Sequence, residues 1–284
     1  MNKFTQKILC IFLFMALCLA AGSAGAVEEP VWPVKAALKY HDSDIAQIWH
    51  DAGGVSIWNT KDDLKIAVEP YEGLWLKEVS IHVVQDPADF DAILDKYDKP
   101  KVSKFDYKTD YLGDFGIRKP DHTEVIPLEN FEICWGVDPE KCPPNLYIIV
   151  AADLQRLTVE TVTIDGFEQE VEVWEDIPET VYSQNVLGAF DRLDKEDAVW
   201  AWYVTYPLAK VEPGHFIDAN VNGLTYQTIT QSGVTGQEGQ FWFLPEERIN
   251  FSVGSLPLGD ALADRRVSPV DLFEGSDMDD DRVI

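Results

Sequence analysis

The first residues in this chain that could do chemistry are two cysteines that lie close together, Cys134 and Cys142. In an oxidising compartment, two thiols at such a spacing are typical of a disulfide. Closing so short a loop stabilises a fold by roughly 2.5 kcal/mol on the chain-entropy model. A zinc site would need further Cys or His ligands, and none follows at metal-binding spacing. The spacing therefore predicts a Cys134–Cys142 disulfide.

The five histidines are the next candidates, because imidazole serves both as a general base and as a metal ligand. His82 lies in an alternating apolar segment, where a histidine hydrogen-bonded at the edge of the core is a simpler interpretation than a ligand. His215 lies at a Pro-Gly break, where we expect a packing or linker role rather than catalysis. His41, His50 and His122 have no partners that the sequence identifies.

Three aromatic residues share one segment at even spacing, namely Trp200, Trp202 and Tyr206. A strand would place all three rings on one face. An exposed aromatic face is a stacking platform for sugar rings, whereas a buried one is core. We expect core, and a ligand platform is the alternative.

Three aspartates alternate near the C-terminus, namely Asp277, Asp279 and Asp281. Oxygen ligands alternate in this way in calcium loops, but an EF-hand loop also needs a glycine and a distal glutamate, which lie beyond Ile284 or are missing. A solvated acidic helix cap is therefore the main interpretation, and a calcium site at these three residues is the minor one. The sequence indicates no other cofactor.

The motifs that usually carry catalysis are missing from the sequence. It has no glycine-rich phosphate loop, no His-Glu-x-x-His zinc helix and no Gly-x-Ser-x-Gly nucleophile elbow. Among 50 acidic residues, no particular carboxylate pair can be nominated as the acid and base of a glycosidase. We therefore predict a protein that is not an enzyme and assign no catalytic residue.

The N-terminus has the three parts of a secretory signal peptide. Lys3 and Lys7 supply the positive start, residues 8–21 form an apolar run, and Ala24-Gly25-Ala26 is a small-residue cleavage site. The apolar run has the length of a signal peptide rather than of a membrane span. We predict secretion or display at the cell surface, with cleavage after Ala26. A retained anchor helix and a lipoprotein acylated at Cys18 are the alternatives.

The charge of the chain limits its partners. The sequence has 50 acidic residues against 23 lysines and arginines, a net charge of −27, and cleavage of the signal would take this to −29. Binding of nucleic acid needs a basic stripe, so the charge excludes a nucleic-acid partner. It also argues against anionic lipid surfaces. A negative surface keeps an exported protein soluble and attracts cations.

Alternation of apolar and polar residues dominates the rest of the chain and predicts an all-β, antiparallel fold. Two hairpins are indicated, over residues 55–68 and over residues 161–174, the second with an Asp-Gly turn. Further strands are predicted over residues 75–84, 123–128, 145–157 and 198–208. Residues 86–97 are the one helix candidate, with Asp86 as its cap.

A break at Glu212-Pro213-Gly214 suggests a domain boundary. The expected organisation is a signal peptide over residues 1–26, an antiparallel β-sandwich with one short helix over 27–212 and a small β module over 213–284. The aspartate-rich end would cap a helix that continues past Ile284. The module is therefore expected to be truncated at its C-terminus.

Several motifs of the first domain occur together in a known pattern. They are the hairpin of residues 55–68, the segment from Trp75 to Val83, Ile126-Pro127-Leu128 ahead of the two cysteines, the segment from Leu146 to Ala152, and Glu179-Thr180-Val181-Tyr182. With these motifs the chain resembles a β-sandwich domain of uncharacterised bacterial extracellular proteins, which implies an exported sandwich. Ser80 stands where that pattern has its first histidine, and the later histidine is also missing.

Residues 221–284 carry a second set of motifs, punctuated by glycine. They include Gly223-Leu224-Thr225-Tyr226-Gln227-Thr228, Gly233-Val234-Thr235 and Gly239-Gln240-Phe241. This segment is similar to a β module that recurs in surface and secreted proteins of marine and sediment bacteria. The resemblance implies a fold and an extracellular location, and it implies no activity.

These observations predict a secreted or surface-associated bacterial protein that serves in interaction, adhesion or ligand binding. Its expected partner is an extracellular glycan or another protein. The alternative is an accessory carbohydrate-binding part of a secreted polysaccharide-active enzyme whose catalytic domain lies elsewhere. A third hypothesis, contact with cations or minerals, follows from the charge. Exposure of the aromatic face around Trp200, Trp202 and Tyr206 would favour the carbohydrate alternative, and burial would remove its support.

Overall fold

Strands make up most of the part of the chain that the computed structural model describes, which comprises residues 33–41, 49–96, 100–133, 145–164, 167–177, 180–185, 203–217 and 221–273. Neighbouring strands pair antiparallel with one exception. The prediction of an all-β fold built from antiparallel sheets is therefore confirmed. All described residues fall in one unit that begins at Trp32.

Ten strands form the main sheet. They are β1 (Val34–His41), β2 (Trp49–Asn59), β3 (Asp63–Pro70), β4 (Leu74–Val84), β5 (Tyr107–Asp110), β6 (His122–Pro127), β7 (Asn145–Ile164), β8 (Phe167–Asp176), β9 (Val181–Asn185) and β10 (Val204–Pro207). Eight of them lie in the order β5-β4-β7-β9-β1-β2-β3-β6, while β8 and β10 pair with other stretches of β7. The long strand β7 thus pairs with four other strands, β4, β8, β9 and β10.

The predicted hairpin of residues 55–68 is formed by β2 and β3, which pair from Gly53–Pro70 to Asn59–Leu64. Its turn is held by Thr60, whose backbone N–H donates to the carbonyl of Asp63 at 2.7 Å and whose hydroxyl accepts from the Asp63 N–H at 3.0 Å. Threonine and aspartate favour such local bonds, which compete with strand pairing and so end it. The turn signal in the sequence was correct.

One side of the main sheet encloses a single hydrophobic core. Residues from eight strands meet there, including Leu38, Ile57, Ile66, Leu76, Ile126, Ile148, Val181 and Tyr206. Leu76 of β4 exchanges two backbone hydrogen bonds with Lys119, which lies just ahead of β6. The two ends of the curved sheet therefore approach each other. A smaller core on the other side of β7 is built around Phe90.

The helix expected over residues 86–97 is a shorter 3₁₀ helix, Pro87–Ile93, and residue 97 lies outside the described residues. Asp86 caps it as expected, accepting a hydrogen bond from the Ala88 N–H at 2.9 Å. The helix stops because Leu94 is extended and pairs with Pro100 across the returning chain. Pairing with a neighbouring segment here overrides the helical spacing of the apolar residues.

The α-helix in the described part of the chain is α1, Tyr111–Phe115, which the sequence did not indicate. Asp110 caps its start by accepting from the Gly113 N–H at 2.7 Å, and Gly116 ends it in the left-handed conformation. Four further 3₁₀ helices span Val102–Lys104, Leu128–Asn130, Gln237–Gly239 and Pro269–Leu272. No helix among the described residues has the length and apolar character needed to cross a membrane.

The chain leaves the main sheet after β10 and continues in two smaller sheets. Their strands are β11 (Glu212–Phe216), β12 (Thr225–Gln227), β13 (Ser232–Val234), β14 (Gln240–Phe243), β15 (Arg248–Val253), β16 (Leu256–Leu262) and β17 (Arg266–Val267). One sheet has the order β14-β11-β17 and the other β13-β12-β15-β16. Phenylalanines from several of these strands share a second large core.

Glu212-Pro213-Gly214 forms the start of β11 rather than a break in the pattern, which corrects the sequence interpretation. Gly214 is required here by close packing, since a Cβ at this position would collide with the ring of Phe241 and with the Asp264 carbonyl. Pro213 is tolerated because β17 pairs with β11 only from His215 onward, so Pro213 has a paired strand on one side alone. The change of sheet between Pro207 and Glu212 still lies next to the expected boundary.

Candidate functional site

Tyr206 lies in β10, and its side chain is fully buried in the main core. Its hydroxyl donates a hydrogen bond to Oδ1 of Asn59 at 2.6 Å. Burial raises the pKa of Tyr206 well above its usual value. A ring without an exposed face cannot stack on a sugar, so Tyr206 is unavailable as a ligand platform. Trp200 and Trp202 lie outside the described residues.

Asn59 is the centre of the buried hydrogen-bond network that Tyr206 joins. Its Nδ2 donates to the carbonyls of Thr60 and Ala209 at 3.0 and 2.9 Å, and its Oδ1 also accepts from the Ala209 N–H at 3.2 Å. Its own carbonyl accepts from Nε2 of Gln231 at 2.9 Å. Every donor and acceptor of the amide is used, which is the pattern of a structural residue.

Glu247 is a buried carboxylate in the same region. It accepts hydrogen bonds of 2.9 Å from the N–H groups of Leu244 and Thr230 and from the hydroxyl of Thr228. Burial of a charge is tolerated when its oxygens are satisfied in this way. Glu247 therefore fixes the loop after β12, and it is not placed to act as a base.

His82 lies on β4 and packs in the smaller core between Phe90 and Phe105, with ring centroids 5.9 and 5.6 Å away. Its Nδ1 is 2.7 Å from Oδ2 of Asp106, although the direction of approach is not that of a hydrogen bond. The ring is almost completely buried. The burial of His82 agrees with the core position expected from the sequence, but Nδ1 does not make the hydrogen bond that was expected with it.

A metal site is absent from the described part of the chain, in which no three His, Cys, Asp or Glu side chains converge. The other predicted site residues, Cys134, Cys142, Asp277, Asp279 and Asp281, lie outside the described residues. The disulfide and the calcium site thus stay predictions.

One polar cluster was missed by the sequence analysis, and it joins α1 to β6. The hydroxyl of Tyr111 is 2.6 Å from Nδ1 of His122, and Nε2 of His122 is 3.2 Å from Oε2 of Glu124. His122 and Glu124 are two residues apart on one strand, so their shared face could have been inferred. Tyr111 could not, because its helix was not predicted.

The order of carboxylate, imidazole and hydroxyl in this cluster is that of a catalytic triad. Burial, and next the charges of Asp121 and Glu124, raise the pKa of Tyr111. The contact between the Tyr111 hydroxyl and His122 connects α1 to β6.

A two-stranded projection, called here the β7–β8 ribbon, is made of residues 157–164 of β7 and 167–176 of β8. The strands pair in register from Leu157–Trp174 to Ile164–Phe167. β4 accompanies β7 only as far as Arg156. Beyond that point both outer edges of the ribbon lack a paired strand within the described residues. Eight residues of extended chain reach about 24 Å.

The ribbon has two different faces. Paired residues share a face and successive residues alternate, so Glu168, Glu170 and Glu172 point to one side and Phe167 and Val171 to the other. Residues 157–175 contain six acids and no lysine or arginine. One face therefore carries a row of three carboxylates, and the other is largely apolar.

Apolar side chains on the ribbon are unusually exposed. Phe167 is 73% exposed and Val159 61%, and Leu157, Val171 and Trp174 are each more than a third exposed. Phe167 and Val171 lie on the apolar face, whereas Leu157, Val159 and Trp174 lie on the same face as the three glutamates. Several exposed apolar side chains on one projecting element favour a contact surface. The sequence predicted this hairpin but could not show that it projects from the sheet.

Aromatic packing anchors the base of the ribbon. Trp174 of β8 meets Trp75 of β4 edge to face, with ring centroids 5.9 Å apart. The guanidinium of Arg118 lies over the Trp174 ring, 4.3 Å from its centroid. Such edge-to-face and cation–π contacts each add about 0.5–1.5 kcal/mol. They set the direction in which the ribbon leaves the sheet.

A polar set reinforces this base. Gln155 accepts from Nε of Arg118 and donates through Nε2 to Oδ1 of Asp176 at 2.6 Å. Lys77 lies 3.2 Å from the same carboxylate. The hydrogen bond from Gln155, and next that from Lys77, lower the pKa of Asp176. A connected network thus holds the base of the ribbon in place, and the rest of the ribbon extends beyond the end of β4.

His215 lies half-buried in β11, beside Lys210 and two arginines that line an open cleft. The expected packing or linker role does not describe His215 fully, because most of the other residues that line the cleft with it are cations. The sequence could not reveal this, since Arg265 and Arg266 lie some fifty residues away along the chain.

Comparisons of the chain with family models, with curated proteins and with solved structures found no match. The resemblance to bacterial extracellular β-sandwich proteins accordingly stays a prediction.

Proposed function

We propose that this protein is a secreted or surface-associated interaction protein of a bacterium, without catalytic activity, and that it binds a protein partner through the β7–β8 ribbon. The observation that carries the proposal is the ribbon itself, which exposes apolar side chains between two strand edges that no described strand covers. The export signal expected at the N-terminus supports an extracellular partner.

Free strand edges are a hazard that proteins normally blunt with charge, proline or short length. The three glutamates of β8 could serve as such a guard by themselves. They do not account for Phe167 and Val159, whose exposure favours aggregation unless something covers them. A long, regular and partly apolar edge is, in contrast, what strand-addition partners recognise.

The alternation along β8 favours one chemistry for the partner. A strand added to the outer edge of β8 would place every second side chain beside Glu168, Glu170 and Glu172, and the others beside Phe167 and Val171. The complementary partner is therefore an extended segment in which lysine or arginine alternates with apolar residues. Opposite charges paired across strands contribute about 0.2–1 kcal/mol each.

The direct test uses a labelled peptide in which valine and lysine alternate, measured by fluorescence anisotropy against the whole protein. We expect saturable binding, and protection of β8 amides from hydrogen exchange, because the edge N–H groups become hydrogen-bonded. Replacing Glu168, Glu170 and Glu172 by Gln should weaken binding about tenfold, since three cross-strand ion pairs are lost.

Two controls separate strand pairing from general attraction of a basic peptide to an acidic protein. The first is a peptide of the same composition with its lysines grouped together. The second is a variant with Glu72, Glu129 and Glu132 changed to Gln, which removes the same charge from exposed positions elsewhere. Equal binding of both peptides, or equal loss in both triple variants, would refute the ribbon as the contact surface.

The same preparation tests the carbohydrate alternative. Retention on immobilised polysaccharides that is insensitive to the ribbon variant, together with no peptide binding, would favour an accessory glycan-binding part instead. Tyr206 gives that alternative no support, because its ring is buried.

A further inference from the structure

Positively charged side chains line a cleft at the start of the C-terminal sheets, although the chain as a whole is strongly acidic. It is an open cleft of about 370 Å³, lined by Lys210, Glu212, Pro213, His215, Arg265 and Arg266. The whole chain has only 23 lysines and arginines against 50 acids. Three of these cations and a histidine therefore meet in one small space.

The cleft is built on paired backbone. β11 and β17 run parallel with His215 opposite Arg266, and the His215 N–H donates to the carbonyl of Arg265 at 3.0 Å. Phe216 and Val267, which follow in the two strands, are buried in the core beneath. The side chains that line the cleft thus project from a fixed base, which favours a defined site.

The cations of the cleft are largely uncompensated. Arg265 is held by Glu212, with Nε 3.1 Å from Oε2, and this contact leaves the terminal guanidinium nitrogens free to donate. Among the described residues, no carboxylate lies within ion-pair distance of Lys210 or Arg266. Unpaired cations of like sign repel each other, so an anion in the cleft would relieve that repulsion.

We propose that this cleft binds an anionic ligand of about monosaccharide size through a carboxylate or sulfate group. The volume lies at the lower end of the range for small-molecule sites. Arginine presents a planar fork that matches such oxyanions, and lysine adds a mobile point charge. Because the long-range field of the protein repels anions, a local cluster of cations is needed to bind one.

The test titrates the whole protein separately with glucuronate, with sulfate and with glucose, followed by backbone amide NMR shifts or calorimetry. We expect saturable binding of glucuronate, of sulfate or of both, with shifts centred on residues 210–216 and 265–267. The anion that binds more tightly shows whether the cleft prefers a carboxylate or a sulfate. Glucose should not bind, because it carries no charge.

Two variants move affinity in opposite directions. Changing Lys210 and Arg266 to Gln together should weaken anion binding roughly tenfold or more, because two charge-assisted contacts are lost. Glu212→Gln should strengthen it roughly two- to fivefold, because a repelling carboxylate disappears. A merely structural role for Glu212 would not strengthen binding.

The matched control changes Lys35 and Lys101 to Gln, which removes the same charge from exposed positions outside the cleft. The proposal is overturned if neither anion binds saturably, if glucose binds equally well, or if the control weakens binding as much as the cleft variant. The cleft and the ribbon belong to different sheets, and the peptide experiment is unaffected by this outcome.

Discussion

Asn59 shows how one residue can connect distant parts of the chain. It ends β2, receives the hydroxyl of Tyr206 from β10 and accepts from Gln231 of the C-terminal sheets. The sequence signals at Asn59 concern only the local turn. Removing the Asn59 side chain leaves several buried polar groups without partners, and each such group lowers the free energy of unfolding by about 1–3 kcal/mol.

We therefore expect Asn59→Ala to lower the free energy of unfolding by about 3 kcal/mol, measured by urea denaturation. Tyr206→Phe should cost only about 1 kcal/mol, because Oδ1 of Asn59 keeps its bond from Ala209. Asn250→Ala, at an exposed position of β15, is the control and should stay within about 0.5 kcal/mol. Similar losses for Asn59→Ala and Asn250→Ala would contradict the role of the network.

At the scale of elements, β7 serves two roles within one strand. Its first half, through Leu154, is buried in the main core, whereas its second half is exposed in the ribbon. The change coincides with the point where β4 stops pairing at Arg156. Stability should therefore reside in the first half and binding in the second.

The element-scale prediction is that the ribbon can be shortened without loss of the fold. Replacing residues 158–173 by a two-residue Asn-Gly turn keeps the Trp174 anchor and closes the hairpin early. We expect the free energy of unfolding to fall by no more than about 2 kcal/mol, since exposed pairs pack on no core. Binding of the alternating peptide should disappear. Unfolding of the shortened protein would show that the ribbon is needed for stability instead.

At the scale of the whole molecule, the main sheet and the C-terminal sheets are tied together by contacts between distant residues. Gln231 donates to the Asn59 carbonyl, and the Lys61 ammonium lies 4.9 Å from the centre of the Trp242 ring. These contacts connect the main sheet and the C-terminal sheets within the described residues.

The expected location is testable on the chain that begins at Met1. After expression in a bacterium with a general secretion pathway, mass spectrometry of the exported protein should find Val27 at the N-terminus. Leu13→Arg, which interrupts the apolar run, should keep the protein inside the cell with its signal intact. An exported chain that begins at Met1, or one that is acylated at Cys18, would contradict cleavage after Ala26.

The sequence alone determined the all-β class, the hairpin of residues 55–68 and the strands around β4 and β7. These depend on the alternation of side chains between two faces and on turn residues such as Thr60, and both are local properties. Where pairing with distant segments competes with local signals, the expectation from the sequence was wrong. Residues 87–93 form a 3₁₀ helix, and the Pro-Gly pair at 213–214 lies inside a strand.

Only the tertiary structure decided which residues meet and which are exposed. Tyr206 is core because Asn59, far away in sequence, receives its hydroxyl, and the ribbon is exposed because β4 ends its pairing at Arg156. Val253 follows the buried Ile249 and Phe251 at the same alternating spacing, yet it is 54% exposed, and the pairing register of β15 with β16 shifts after Phe251. Alternation shows that a strand has two faces, but burial depends on which other strands cover them.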